Sequence, residues 1–158
     1  MISELLTFAR VGAAIEPADV DLTRVVHDVV EGLAGAATAD QIVVDDLPTV
    51  WGDAVQLQGL LQNLLANAVK FSPPGTPVTV TAVALDHGWR ISVADRGPGV
   101  PPEDRERVFD PLVRLDTRVP GSGIGLATCR RIVEAHDGRI GVADNPDGGA
   151  VVWFELPA

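Results

Sequence analysis

Apolar positions recur at helical spacing along much of the chain. Ile2, Leu5, Leu6 and Ala9 form one stripe, which Gly12 breaks. Leu22, Val25, Val26, Val29, Val30 and Leu33 form a second behind Asp21, a good N-cap, and predict a helix to about residue 37. Leu57, Leu60, Leu61, Leu64, Leu65 and Ala68 form a wide third stripe, predicting a helix over 53–70 that Ser72-Pro73-Pro74-Gly75 stops. One more helix is predicted over 124–135. Period-two alternation of β-branched residues predicts strands at 78–85 and 89–94, joined through Asp86-His87-Gly88. Short extended pieces are expected at 42–45 and 49–51, and strands near 139–142 and 150–156 around a turn at 144–149. The segment 95–122 is irregular and rich in Gly and Pro, with only 103–108 briefly helical. A loop of that length inside a compact domain is usually functional. Helices set between hairpins, with strands dominating after residue 77, favour an α+β two-layer sandwich over a doubly wound parallel sheet.

The 158 residues fit one domain, long enough to bury a self-sufficient core. No apolar run approaches the roughly 20 residues that span a bilayer. The opening M-I-S-E-L-L-T-F-A-R has an early acid and no basic leader, unlike a secretory signal. Cys129 is the only cysteine, which excludes an intrachain disulfide and points to a reducing, cytoplasmic setting. His27, His87 and His136 are too far apart in sequence for a local metal motif. A formal charge of −10 argues against a nucleic-acid surface. It leaves room for an anionic small ligand, since a phosphate site can be built from backbone N–H groups, a few local cations and a metal ion.

Three segments could carry such chemistry. On the helix over 53–70, Gln56, Gly59, Asn63, Asn67 and Lys70 fall in one narrow sector at about 100° per residue. Asn is a mediocre helix former. Two Asn one turn apart among Leu and Ala mark either a solvated edge or a line of ligands, with amide oxygens for Mg²⁺ and a Lys for phosphate. A-D-R-G-P-G-V places Asp95, Gly97 and Gly99 straight after a strand. This is either a turn or a ligand floor, where glycines permit close approach and a carboxylate can accept from an adenine amino group. P-G-S-G-I-G-L-A sets Gly121, Gly123 and Gly125 at the start of a helix, an arrangement suited to anions. It lacks the preceding strand of a dinucleotide fingerprint and the G-K-[ST] of a Walker A loop. Between the glycine sets, Phe109 and Leu112 are candidate core anchors. Arg114 and Arg118 are either surface arginines or phosphate contacts from a lid.

Taken in order, N-L-L-A-N-A-V-K-F, D-R-G-P-G, V-F-D-P-L-V-R and G-S-G-I-G-L-A closely resemble the N, G1, F and G2 boxes of sensor histidine kinases. These belong to the GHKL superfamily shared with gyrase B, Hsp90 and MutL. The resemblance covers about residues 20–158. It implies the Bergerat fold, about three long helices over a mixed, mainly antiparallel sheet, with ATP and Mg²⁺ held between helices and lid. It further implies that Asn63 coordinates Mg²⁺, that Asn67 and Lys70 contact phosphates, and that Phe71 lies near adenine or ribose. Asp95 would accept from adenine N6 above Gly97 and Gly99, Phe109 would anchor the lid, and Arg114 would reach the γ-phosphate. Gly121, Gly123, Gly125 and Leu126 would close over the phosphates. Asn63, Lys70 and Arg114 would be the catalytic set.

Two departures qualify the resemblance. Gly59 stands four residues before Asn63, where the gyrase and Hsp90 branches carry a water-activating glutamate. It has no side chain to act as a base, which favours a kinase over an ATPase. The phosphoacceptor motif H-E-[LF]-R-[ST]-P is missing; His27 in V-V-H-D-V-V-E and His136 in E-A-H-D-G do not match it. Residues 1–12 do resemble the end of the dimerisation hairpin, L-L-x-x-A-R, with a linker at 13–19 and the catalytic domain at 20–158. The expected activity is transfer of the γ-phosphoryl of Mg-ATP to a histidine on a dimerisation domain outside this chain, with a response regulator downstream. The isolated chain is expected to be a monomer without membrane contact, whether or not the parent protein is anchored. The other readings are a non-catalytic nucleotide-binding module, an anti-sigma-factor serine kinase and a GHKL-type ATPase. The lid over 115–122 is expected to be disordered without nucleotide.

Overall fold

The computed structural model describes residues 15–33, 41–109 and 125–157. The stripe at 1–12, the expected helix beyond residue 33, Arg114, Arg118, Gly121, Gly123 and the lid lie outside the described residues. The elements are β1 (Ala18–Asp21), α1 (Leu22–Gly32), β2 (Ile42–Val44), β3 (Thr49–Gly52), α2 (Ala54–Phe71), β4 (Val78–Leu85), β5 (Gly88–Ala94), α3 (Gly125–Ala135), β6 (Arg139–Asp144) and β7 (Ala150–Pro157). Two short 3₁₀ turns, Pro102–Asp104 and Arg107–Phe109, stand where one brief helix was expected.

A five-stranded sheet in the order β2-β4-β5-β7-β6 forms one layer, antiparallel except for the parallel β2–β4 pair. The three helices form the other layer, so the two-layer α+β architecture holds. Alternation sets the faces of the sheet. Val78, Val80, Ile91, Val93, Phe154 and Leu156 are buried with the helices, while Arg90, Trp153 and Glu155 are only partly covered on the outer face. There Glu155 stands between Arg90 and Arg139 and bonds to both. The Arg139 and then the Arg90 guanidinium hold its carboxyl below the usual carboxylate range. No helix among the described residues is long and apolar enough to cross a membrane.

The helices follow their stripes. All six residues of the 57–68 stripe are buried on α2, as are Leu22, Val26 and Val29 on α1. Asp21 caps α1 as expected, accepting from Thr23 and Arg24 N–H. The described α1 is shorter than predicted. It ends at Gly32, and Leu33 turns extended while its N–H still reaches Val29 and Val30 carbonyls. Leu33 packs on the core from that extended position, so its apolar character signals burial without helix.

The two short extended pieces do not pair with each other. β2 joins the main sheet beside β4, whereas β3 pairs antiparallel with β1 in a separate two-stranded ribbon. The loop between them is pinned to α1, where Thr23 Oγ1 donates to Leu47 O and accepts from Leu47 N. β1 was not expected: Ala-Asp-Val-Asp offers a single buried side chain, Val20.

Asp53 joins several of these parts. Its Oδ1 caps α2 by accepting from Val55 and Gln56 N–H, and its Oδ2 accepts from Glu16 N–H at 3.0 Å. The Glu16 bond is the main cause holding this carboxyl below its ordinary value, against a smaller opposing effect of burial. A depressed carboxyl stabilises the fold above its unfolded pKa of about 4 and loses that contribution as pH falls through the folded value. Asp53→Ala is therefore expected to cost about 1 kcal/mol at pH 7. The difference from wild type should shrink as urea titrations are stepped into acid below about pH 4. A gap that stays constant with pH would refute this role.

Candidate functional site

The site forms where the α2 stripe, the end of β5 and the start of α3 meet. Asn63 and Asn67 are half-buried, and Lys70 is exposed in the last turn of α2. Asn63 Nδ2 donates to Gly59 O at 3.0 Å, which engages its amino group within the helix and leaves Oδ1 as its acceptor. α3 opens directly beside this stripe. A Cβ on Gly125 would stand 3.4 Å from Asn63 Oδ1 and 3.7 Å from Asn67 Nδ2. The amide stripe thus faces the start of a helix, where the helix dipole favours an anion.

Asp95 follows β5. Its N–H donates to Ala150 O at 2.9 Å. Its Oδ1 accepts from Gly97 N–H at 2.9 Å and from Ala150 N–H at 3.1 Å. Both bonds fall on one oxygen, so the carboxylate is fixed in direction while Oδ2 takes neither of them. The peptide after Asp95 is held twice more: Asn145 Nδ2 donates to Asp95 O at 2.8 Å, and Arg96 N–H donates to Ser72 Oγ at 3.1 Å. Ser72 is buried at the C-terminus of α2. The Asn–Lys helix and the Asp-bearing strand are therefore stitched together at their ends.

The glycines serve contact and conformation separately. A Cβ on Gly97 would lie 2.7 Å from Phe71 O, so only glycine lets the loop rest on the end of α2. Gly99 has φ of +78° and turns the chain through the left-handed region. Phe71 is half-buried beside this contact. Phe109 is 3% exposed with Arg130 5.8 Å above its ring, so it is a core anchor against α3. Leu126 is partly buried and packs on the core. The structure thus gathers Asn63, Asn67 and Gly125 into one group, and Phe71, Asp95, Gly97 and Gly99 into another.

Sequence reasoning missed Ser72, Asn145, Ala150 and His136. Ser72 counted only as part of a helix breaker, and the partners of Asn145 and Ala150 lie 50 and 55 residues away. His136 is buried, its Nδ1 lying 2.8 Å from Ile132 O and its Nε2 accepting from Asp53 N–H at 3.0 Å. These bonds require the neutral tautomer with the proton on Nδ1. It staples the end of α3 to the start of α2. Among the described residues no group of three or more His, Cys, Asp and Glu could hold a metal ion.

Residues 52–158 match the family model described as histidine kinase-, DNA gyrase B- and HSP90-like ATPase. The chain is 37% identical to the adaptive-response sensory kinase SasA of Synechococcus elongatus across 99% of its own length and 43% of that protein. It is 43% identical to the kinase of the same name from Prochlorococcus marinus, across 71% of this chain and 30% of that one. It therefore spans well under half the length of these curated relatives. Among solved structures, full-length ShkA in complex with AMPPNP superimposes with a TM-score of 0.82 at 39% identity, covering 99% of this chain and 35% of that one. The mycobacterial sensor histidine kinase MprB gives 0.75 at 31% identity, covering 90% and 97%.

Two glycines of the site should respond oppositely to alanine. Gly59 lies within a helix, and a methyl group added there would meet nothing within 4 Å, so Gly59→Ala should stabilise by about 0.5–1 kcal/mol. Gly97→Ala drives a methyl into the Phe71 carbonyl and should destabilise by about 1–3 kcal/mol. Thermal unfolding of both variants checks the pair, and a neutral Gly97→Ala would contradict the contact.

Proposed function

The chain belongs to the histidine kinase-, DNA gyrase B- and HSP90-like ATPase family and is the ATP-binding catalytic domain of a sensor histidine kinase; we propose that it binds Mg-ATP between α2, the Asp95 loop and the start of α3, and passes the γ-phosphoryl to a histidine on a dimerisation domain. A response regulator would take the phosphoryl from there, in the cytoplasm. Residues 1–12 would be the end of the dimerisation hairpin, followed by a linker at 13–19, whose last residues Ala18 and Asp19 already pair in β1, and the catalytic unit at 20–158.

The observation that carries this reading is the Asp95 carboxylate, fixed at Oδ1 by two backbone N–H groups with Oδ2 left for a ligand. Adenine presents its 6-amino group as a donor, and a carboxylate oxygen is its natural acceptor. Gly97 and Gly99 allow the base to approach the backbone, and Phe71 borders the base or ribose. The triphosphate then runs along the Asn63–Asn67–Lys70 stripe towards Gly125 and Leu126 at the start of α3. Asn63 Oδ1 would hold Mg²⁺, which supplies charge neutralisation on the phosphates when bound. Asn67 and Lys70 would contact phosphate oxygens directly. Arg114, Gly121 and Gly123 would complete the phosphate end, and Phe109 would root the lid in the core. An analogue in the ShkA structure supports nucleotide binding by this fold.

Catalysis of this kind is mostly positioning and charge stabilisation, and it needs no activated water. Gly59 supplies no base, and the space around it is open. The isolated chain should therefore bind ATP yet hydrolyse it very slowly. Mixed with a separate phosphoacceptor domain and labelled ATP, it should transfer an acid-labile label, the signature of phosphohistidine. Absence of label, or an acid-stable product, would overturn the kinase reading in favour of a non-catalytic module or a serine kinase.

Asp95→Asn offers the adenine assignment a direct test. The side-chain oxygen can still accept from Gly97 and Ala150, but the other atom becomes a donor facing a donor. ATP binding measured by calorimetry should be abolished while thermal unfolding stays close to wild type. Unchanged affinity in that variant would sink the assignment.

A further inference from the structure

The turn between β6 and β7 is organised by Asn145. Its N–H donates to Gly149 O at 3.1 Å, and its carbonyl accepts from Gly148 N–H at 2.9 Å. Its side-chain Oδ1 accepts from Asp147 N–H at 3.1 Å, an Asx turn. Only Nδ2 reaches out of the turn, and it donates to Asp95 O at 2.8 Å.

Asp95 therefore meets the turn at three points. Its N–H reaches Ala150 O, its carbonyl accepts from Asn145, and its Oδ1 accepts from Ala150 N–H. Gly149 has φ of +99°, and a Cβ there would lie 2.3 Å from Asp95 O, so the turn rests against this peptide without a gap. The Arg96–Asp147 pair across the same contact is 3.7 Å long and largely exposed, and adds little. Beyond Asp95 the chain enters Gly97 and Gly99, which have no side chains to secure it. The direction of the Asp95 peptide is thus set by Ser72 on one side and by Asn145 on the other.

Resting on the reading of Asp95 as the adenine acceptor, we infer that Asn145 is a positioning residue that sets selectivity for adenine over guanine. Guanine carries an oxo acceptor where adenine carries the 6-amino donor, and a carboxylate repels it. That discrimination requires Oδ2 to stand opposite the 6-position, because a hydrogen bond weakens steeply with misalignment. Loss of the Asn145 bond frees the Asp95 carbonyl; with Oδ1 still held by Gly97 and Ala150 N–H, a shift of the peptide behind it swings Oδ2 away from the 6-position. The adenine contact then weakens, and the repulsion of guanine weakens with it.

Calorimetric titration of the whole chain with ATP and with GTP, Mg²⁺ present, tests this in Asn145→Asp, Asn145→Ala and Asp95→Asn. Asn145→Asp keeps an oxygen for Asp147 N–H and replaces the donor to Asp95 O by a second acceptor, separating positioning from turn formation. Both Asn145 variants should lose about tenfold in ATP affinity. Their GTP affinity should fall less or rise, so that the ratio of the two narrows. Loss of ATP and GTP affinity in equal proportion would reduce Asn145 to a structural part and overturn the proposal. A wild-type ratio in the Asn145 variants beside abolished ATP binding in Asp95→Asn would overturn it alone. Unchanged ATP affinity in Asp95→Asn would overturn the adenine reading and this inference together.

Discussion

The site depends on the anchoring of one helix by its opposite face. α2 can carry two asparagines and a lysine on one sector because Leu57, Leu60, Leu61, Leu64, Leu65 and Ala68 are buried on the other. Each large side chain removed from water contributes on the order of 1.5–3 kcal/mol, far more than two mediocre helix formers cost. The ends of α2 are then fixed by polar bonds. Asp53 caps the start and is reached there by Glu16 and His136, while Ser72 ties the finish to Arg96 beyond β5. Burial sets where the helix lies, and these bonds set its position along its own axis.

The second wall is built differently. Asp95 is half-exposed beyond its strand. Its direction comes from hydrogen bonds supplied by three separate segments: Gly97 in its own loop, Ala150 and Asn145 in the β6–β7 hairpin, and Ser72 acting through the next residue. Hydrogen bonds between neutral groups each contribute about 1 kcal/mol, and those accepted by a carboxylate somewhat more, so a set of them can hold a backbone in place where no single one would. Preorganisation of that kind lets a polar ligand bind without first ordering its receptor.

A chain with a formal charge of −10 thus gathers backbone N–H groups, amides and one helix N-terminus at its proposed nucleotide site. Such donors are local and directional, so the surrounding net charge does not decide whether a triphosphate is accepted. The outer face of the sheet shows a similar economy. Glu155 is paired on both sides by Arg90 and Arg139, and Arg90 also lies 4.8 Å above the Trp153 ring, covering an aromatic that the helices do not reach.

Much of this was legible in the chain itself. The α2 stripe, its start near Asp53, the β4–β5 hairpin through Asp86-His87-Gly88 and the α+β class all follow from periodicity and turn chemistry, which act within a few residues. The placement of Asn63, Asn67 and Lys70 on one sector follows equally from helical geometry. Tertiary structure decided the rest: that β2 joins β4 while β3 pairs with the charged β1, that α1 ends by Leu33, and that Gly125 meets the asparagines. It alone recruited Ser72, Asn145, Ala150 and His136, whose partners lie up to 83 residues away. The physical reason is that hydrophobic patterning is a local, repeated signal, whereas a single polar bond between distant segments leaves no period in the sequence and exists only once the core has brought its two ends together.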